Sequence, residues 1–154
     1  MSEETKSILF MCVANSARSQ MAEGLLRAQY GQKFEAFSAG TAPSRVNPLA
    51  VEAMREAGID ISAQRSKSVE EFIGHPVDYV ITVCDQANES CPVFPGNAKR
   101  IHWSIDDPQL TEGDEATRLA AFRRARDEIR GRLQELFRPA RDPHPGQIPD
   151  AGMK

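Results

Sequence analysis

The residues able to do chemistry in this 154-residue chain are three cysteines, an arginine and an aspartate: Cys12, Cys84, Cys91, Arg18 and Asp107. Cys12 and Arg18 enclose Val13, Ala14, Asn15, Ser16 and Ala17, and Ser19 follows. An apolar run ends at Cys12 and a helical pattern begins near Ser16, so this short segment joins a strand to a helix. In such a loop successive backbone N–H groups can curl around an anion. Arg18 adds a planar fork of donors suited to an oxyanion. The same groups favour the thiolate of Cys12, because a helix N-terminus and a guanidinium both stabilise negative charge. Residues 13–19 are therefore the expected oxyanion cradle, with Cys12 as the nucleophile facing it. Asn15 can take a positive φ there, and Ser19 can donate to the sulfur; ordinary capping is the alternative for each.

The elements that must position these residues follow from the hydrophobic pattern. Residues 7–12 are a short apolar run that fits a fully buried strand. Residues 16–30 carry Met21, Ala22, Leu25 and Leu26 at helical spacing, with Gly31 at the end. Residues 34–38 form a second strand. Residues 48–57 form a helix stopped by Gly58, and residues 68–73 a shorter one. The β-branched run 78–84 is the third strand, and residues 98–103 the fourth. Residues 114–137 place Leu119, Phe122, Ala125, Ile129, Leu133 and Leu136 on one stripe of a long helix.

Alternating strands and helices imply an α/β fold with a parallel sheet and right-handed crossovers. The economical topology is a flavodoxin-like doubly wound four-stranded sheet of order 2-1-3-4, flanked by helices. Its ligand crevice lies at the carboxyl ends of strands 1 and 3, where Cys12 and Cys84 both fall. One domain is expected over residues 1–137. The stretch 138–154, rich in Pro, Gly and charge, reads as a flexible tail.

Apolar residues make up 40% and charged ones 27% of the chain, as in an ordinary soluble domain. A net charge of −3 gives no electrostatic case for nucleic acid or an anionic membrane, so an oxyanion must be drawn in locally. The polar start and a first apolar run of only strand length fit no secretory signal, and a cytoplasmic location is expected. In that compartment three cysteines make an improbable disulfide framework, and an odd count leaves one outside any pair.

The loop, together with Ser38-Ala39-Gly40-Thr41, Gly58-Ile59-Asp60-Ile61-Ser62 and Asp107-Pro108, resembles the low-molecular-weight tyrosine phosphatase fold. The stretch Val80-Ile81-Thr82-Val83-Cys84-Asp85 through Cys91-Pro92, with His102-Trp103, resembles its thioredoxin-coupled arsenate reductases. The resemblance covers residues 7–137. It implies that Cys12 attacks arsenate, that Cys84 attacks Cys12 as arsenite leaves, and that Cys91 then attacks Cys84. The resulting Cys84–Cys91 disulfide would be reduced by thioredoxin. Three thiols acting in turn account for the odd number. Closing a disulfide needs Cα atoms within about 7 Å, so the segment between Cys84 and Cys91 would have to adjust. The resemblance also makes Asp107 the general acid, which suits a carboxyl beside a bound oxyanion; adjacent Asp106 is the alternative, and a simple turn signal before proline the blander one.

Some members of this family hold potassium beside the loop through an Asn, a Glu, a Ser and an Asp. Asn15, Glu23 and Ser38 match the first three, but the aspartate's place falls on Lys67, so no potassium requirement is expected. Zinc is not expected either, since no close-spaced ligand pair accompanies His102; no bound cofactor is expected. Partners are arsenate, with phosphate or sulfate competing, and thioredoxin, acting on a monomer; glutaredoxin or mycothiol are the alternative reductants. Two rival functions remain. A phosphatase for phosphotyrosine or small phosphomonoesters would use the same loop, but this chain has Gln109-Leu110 where aromatic residues are usual, and Ala17 where a second loop cysteine is common. An oxyanion-binding thiol redox sensor would have no use for Asp107. Trp103 reads as packing, Arg123, Arg124 and Arg126 as a solvated helix face, and His75 and His144 as loop residues.

Overall fold

A computed structural model describes residues 5–84 and 98–137. Cys91 and the expected 138–154 tail lie outside them. The chain order is β1 (Lys6–Cys12), α1 (Arg18–Tyr30), β2 (Phe34–Gly40), α2 (Pro48–Glu56), β3 (Tyr79–Thr82), β4 (Lys99–His102) and α3 (Glu115–Leu136). Single 3-10 turns occupy Val69–Phe72 and Pro108–Leu110. The four strands form one sheet of order β2-β1-β3-β4, parallel throughout, as the pattern predicts.

β1 is apolar without alternation because both of its faces are covered. Ile8, Leu9, Phe10 and Met11 are all completely buried, as are Met21, Ala22, Leu25 and Leu26 of α1. On α3 the stripe Phe122, Ala125, Ile129, Leu133 and Leu136 is buried, and Leu119 packs at its edge. Trp103 is 3% exposed and lies against Phe10, ring centroids 6.2 Å apart, which fits the packing role. Among the described residues no helix is long and apolar enough to cross a membrane.

Several boundaries differ from the sequence expectation. α1 starts at Arg18 rather than Ser16, because residues 13–17 are spent on the loop. β3 and β4 are shorter at both ends than the expected 78–84 and 98–103. The expected helix at 68–73 is only a 3-10 turn, capped by Ser68. Gly31 keeps a right-handed φ of −64°, since the chain leaves α1 through a turn in which the Lys33 amide donates to the Tyr30 carbonyl at 2.9 Å. The arginine face of α3 is not simply solvated. Arg123 forks onto Glu56 at 2.7 and 2.9 Å, and Arg126 donates to the Ala53 carbonyl at 2.6 Å, tying α3 to α2.

At the amino end of the sheet, β1 and β3 are locked together. The Asp78 carboxylate accepts from the Ser7 amide at 2.7 Å, and the Asp78 amide donates back to the Ser7 carbonyl at 3.0 Å. The opposite end carries Cys12, paired in register with Gly40, and Met11, paired with Thr82.

Candidate active site

The loop after β1 is held by its carbonyls. Val13, Ala14 and Ser16 accept from the amides of Ala42, Ser44 and Asn47 at 2.8, 3.0 and 2.9 Å. Ser66 Oγ donates to the Ala14 carbonyl as well, at 3.0 Å. No peptide bond here is cis. In a trans peptide the N–H points away from its own C=O. With these carbonyls tied outward to residues 42–47, the amides of Ala14, Asn15 and Ala17 are directed to the opposite side. The loop thus takes the shape a cradle for an anion would need, produced by pairing rather than by glycine content.

Two further features fix the curl. Asn15 has a positive φ of 49°. Its side-chain oxygen accepts from the Lys67 amide at 2.7 Å and from Gln20 Nε2 at 2.9 Å, which supports the otherwise unfavourable backbone. Gly40, on β2, passes so close that a Cβ there would sit 2.4 Å from the Val13 carbonyl oxygen and 2.9 Å from the Asn15 nitrogen. Neither contact is tolerable, so only glycine permits the loop to lie against β2.

Cys12 is buried, with its sulfur 2.9 Å from Ser19 Oγ. Asn15 Nδ2 donates to that same oxygen at 2.8 Å. With the serine oxygen already accepting, its own hydrogen is free for the sulfur, and a thiolate would require it there. Ser19 and Asn15 are both fully buried, while Val13, Ala14 and Ser16 line the cavity.

Arg18 points across the site. Its Nη1 donates to the Ile105 carbonyl at 2.7 Å and lies 3.5 Å from the Val83 carbonyl, and Nη2 is 3.3 Å from Asp107 Oδ2. Asp107 caps the 3-10 turn that follows, its Oδ1 accepting from the Gln109 amide at 2.9 Å. Cys12, Arg18, Cys84 and Asp107 all line one cavity of about 370 Å³. Cys84 lies two residues beyond the end of β3, is buried, and forms no disulfide. Thus four of the five expected catalytic residues meet at one sheet edge; the fifth, Cys91, is not among the described residues. Asp106, the alternative acid, is exposed and lines a separate hollow on the far side of the Asp107–Pro108 turn.

A polar network next to the loop was not foreseen. Gln20 and Gln64 join through Gln64 Nε2 and Gln20 Oε1 at 2.7 Å, and Arg27 reaches Gln64 at 3.0 Å and Glu23 at 2.5 Å. Ser38 donates to Glu23 Oε1 at 2.5 Å. The Lys67 ammonium lies 3.5 Å from that same oxygen and donates to the Arg65 carbonyl at 3.0 Å. Charge that a cation would supply is therefore already present as a side chain. Initial rates should be the same in potassium and sodium chloride at equal ionic strength. A several-fold rise specific to potassium would contradict this.

A sequence profile described as low molecular weight phosphotyrosine protein phosphatase matches residues 7–143. The arsenate reductase of Bacillus licheniformis is 48% identical over 131 residues, covering 85% of this chain and 94% of its relative. A solved structure described as an arsenate reductase in the phosphate binding state superposes with a TM-score of 0.68 at 33% identity, over 86% of this chain and 96% of the other. The thioredoxin-dependent arsenate reductase of Corynebacterium glutamicum matches with a TM-score of 0.65 at 31% identity, over 89% of this chain and 62% of that longer one. The expected resemblance thus holds across sequence and fold, and the chain belongs to the low molecular weight phosphotyrosine protein phosphatase family, beside its arsenate reductases.

Proposed function

We propose that this protein reduces arsenate to arsenite, with Cys12 as nucleophile and with Cys84 and Cys91 completing a disulfide relay emptied by thioredoxin. The observation that carries the reading is the second buried thiol. Cys84 shares the cavity of Cys12 and Arg18, and hydrolysis of a phosphoenzyme would have no use for it.

In the first step the Cys12 sulfur bonds to arsenic and an oxygen leaves, protonated by Asp107 to depart as water. Arg18 and the inward amides of the loop hold the remaining oxygens as charge redistributes. Cys84, as thiolate, then attacks the Cys12 sulfur. The S–As bond breaks, its electron pair stays on arsenic, and arsenite departs with arsenic two electrons richer. The Cys12–Cys84 disulfide carries the matching oxidation. Cys91 attacks Cys84, releases the Cys12 thiolate, and leaves a Cys84–Cys91 disulfide. Two electrons from thioredoxin restore all three thiols; the C. glutamicum relative is described as thioredoxin-dependent. Phosphate and sulfate share the shape of arsenate and should compete; a relative's structure is described as a phosphate binding state.

The test is arsenate-dependent oxidation of NADPH through thioredoxin reductase and thioredoxin, run on the wild type, Cys84→Ser and Cys91→Ser. Both variants should lose multiple turnover, and mass spectrometry of the wild type after one turnover should show the Cys84–Cys91 disulfide. Sustained thioredoxin-coupled turnover by either variant would sink the relay.

A further inference from the structure

Gln109 belongs to the Pro108–Leu110 turn, and its backbone is at the surface. Its side chain is nevertheless committed. Oε1 accepts from Ser16 Oγ at 3.0 Å and from Asn47 Nδ2 at 2.9 Å. Asn47 is the N-cap of α2 and donates its own amide to the Ser16 carbonyl at 2.9 Å. The Gln109 amide meanwhile donates to Asp107 Oδ1 at 2.9 Å, and Nε2 lies 3.4 Å from the same oxygen. One residue therefore bridges the anion loop, the cap of α2 and the carboxylate of Asp107.

We propose that Gln109 is a positioning residue: it holds the Asp107 turn against the anion loop so that the carboxyl stays over Cys12. The inference rests on the reading of Asp107 as proton donor. The charged tie between turn and loop is the Arg18–Asp107 contact at 3.3 Å. A bound oxyanion competes for that guanidinium, so the contact loosens at the moment when Asp107 must be in place. The Ser16–Gln109 bond uses neither the anion nor Arg18, so a bound oxyanion does not compete with it. Both acceptor sites of the Gln109 carbonyl are in use. A glutamate there keeps both acceptors, while an alanine keeps neither.

The experiment measures the single-turnover rate of arsenate-driven enzyme oxidation against pH and arsenate concentration. It compares the wild type with Gln109→Ala, Gln109→Glu, Asp107→Asn and the Gln109→Ala/Asp107→Asn double variant. Gln109→Ala should lower the maximal rate about tenfold while half-saturation moves less than about twofold, the signature of lost alignment rather than lost binding. Gln109→Glu should recover most of that rate, with the alkaline limb of the profile moved to higher pH, because a second carboxylate beside Asp107 favours its protonated form. In the Asp107→Asn background, Gln109→Ala should have no further effect. A wild-type rate in Gln109→Ala, or a full loss repeated in the Asp107→Asn background, would overturn the proposal. An Asp107→Asn variant as fast as wild type would instead overturn the role of Asp107 itself, so the two failures are distinguishable.

Discussion

Cys12→Ser should abolish arsenate turnover, by about four orders of magnitude or more, while leaving the fold and anion binding intact. Two effects combine. A serine hydroxyl is a far weaker nucleophile than a thiol near neutral pH, and loss of the central member of a catalytic unit is commonly of this size. Serine also has no sulfur for Cys84 to attack, so a slow ester with arsenate could still not pass electrons on. The cradle does not depend on the sulfur: its carbonyls are held by Ala42, Ser44 and Asn47, and its curl by Asn15. Calorimetric titration with phosphate should give an affinity equal to or tighter than wild type, since the variant holds no thiolate to repel an anion. Residual thioredoxin-coupled turnover above a few per cent of wild type would assign the nucleophile elsewhere.

Gly40→Ala should do the reverse, leaving every reactive group in the chain and ruining their arrangement. The added methyl would meet the Val13 carbonyl oxygen at 2.4 Å and the Asn15 nitrogen at 2.9 Å. Both are backbone atoms of the cradle, so no side-chain rotation relieves the clash. Overpacking of this kind costs about 1–3 kcal/mol. In a domain of this size that corresponds to a fall in Tm of roughly 2–12 °C. The functional loss should be larger, because a displacement of about 1 Å at a catalytic site can cost on the order of 100-fold in rate. Phosphate affinity and kcat should both fall, with thiol reactivity at Cys84 unchanged. Wild-type phosphate affinity in Gly40→Ala would show that the loop does not need its contact with β2.

These contrasting variants also show what a single chain of letters reveals. The strand order was legible because β1 and the 78–84 run are continuously apolar and separated by helical patterns, which leaves few topologies. Cys12, Arg18, Cys84 and Asp107 were legible because each lies at the end of a strand or in the segment that follows one, where a parallel sheet gathers its ligand-binding edge. The strand lengths were less so. Val83 and Cys84 continue the apolar pattern, but pairing in β3 ends at Thr82 as the chain turns into the site. The helix start was misjudged for the same reason, since residues of the loop fit a helical period while their carbonyls bond elsewhere. The roles of Gln20 and Gln64 were invisible, and Gln109 was legible only as a departure from the aromatic residues usual at that place in phosphatases. Each is an ordinary polar residue in sequence, and each acquires its role largely from a distant partner, 44 positions away for Gln20 and Gln64 and 93 for Gln109. Lys67 was readable only against the family pattern, and its ion pair with Glu23 gives that substitution a physical form.

The Ser7–Asp78 clamp sets where such an enzyme can bend. Register between two parallel strands is quantised, since a slip of one residue would turn every β3 side chain to the opposite face. With the amino ends of β1 and β3 bolted by side-chain and backbone bonds, a sliding motion has no low-cost route. Any change in the spacing of Cys12 and Cys84 is therefore left to the residues after Met11 and Thr82, like the jaws of a vice whose screw end is fixed. A slacker grip at that end would let β3 slip against β1 and shift Cys84 relative to Cys12.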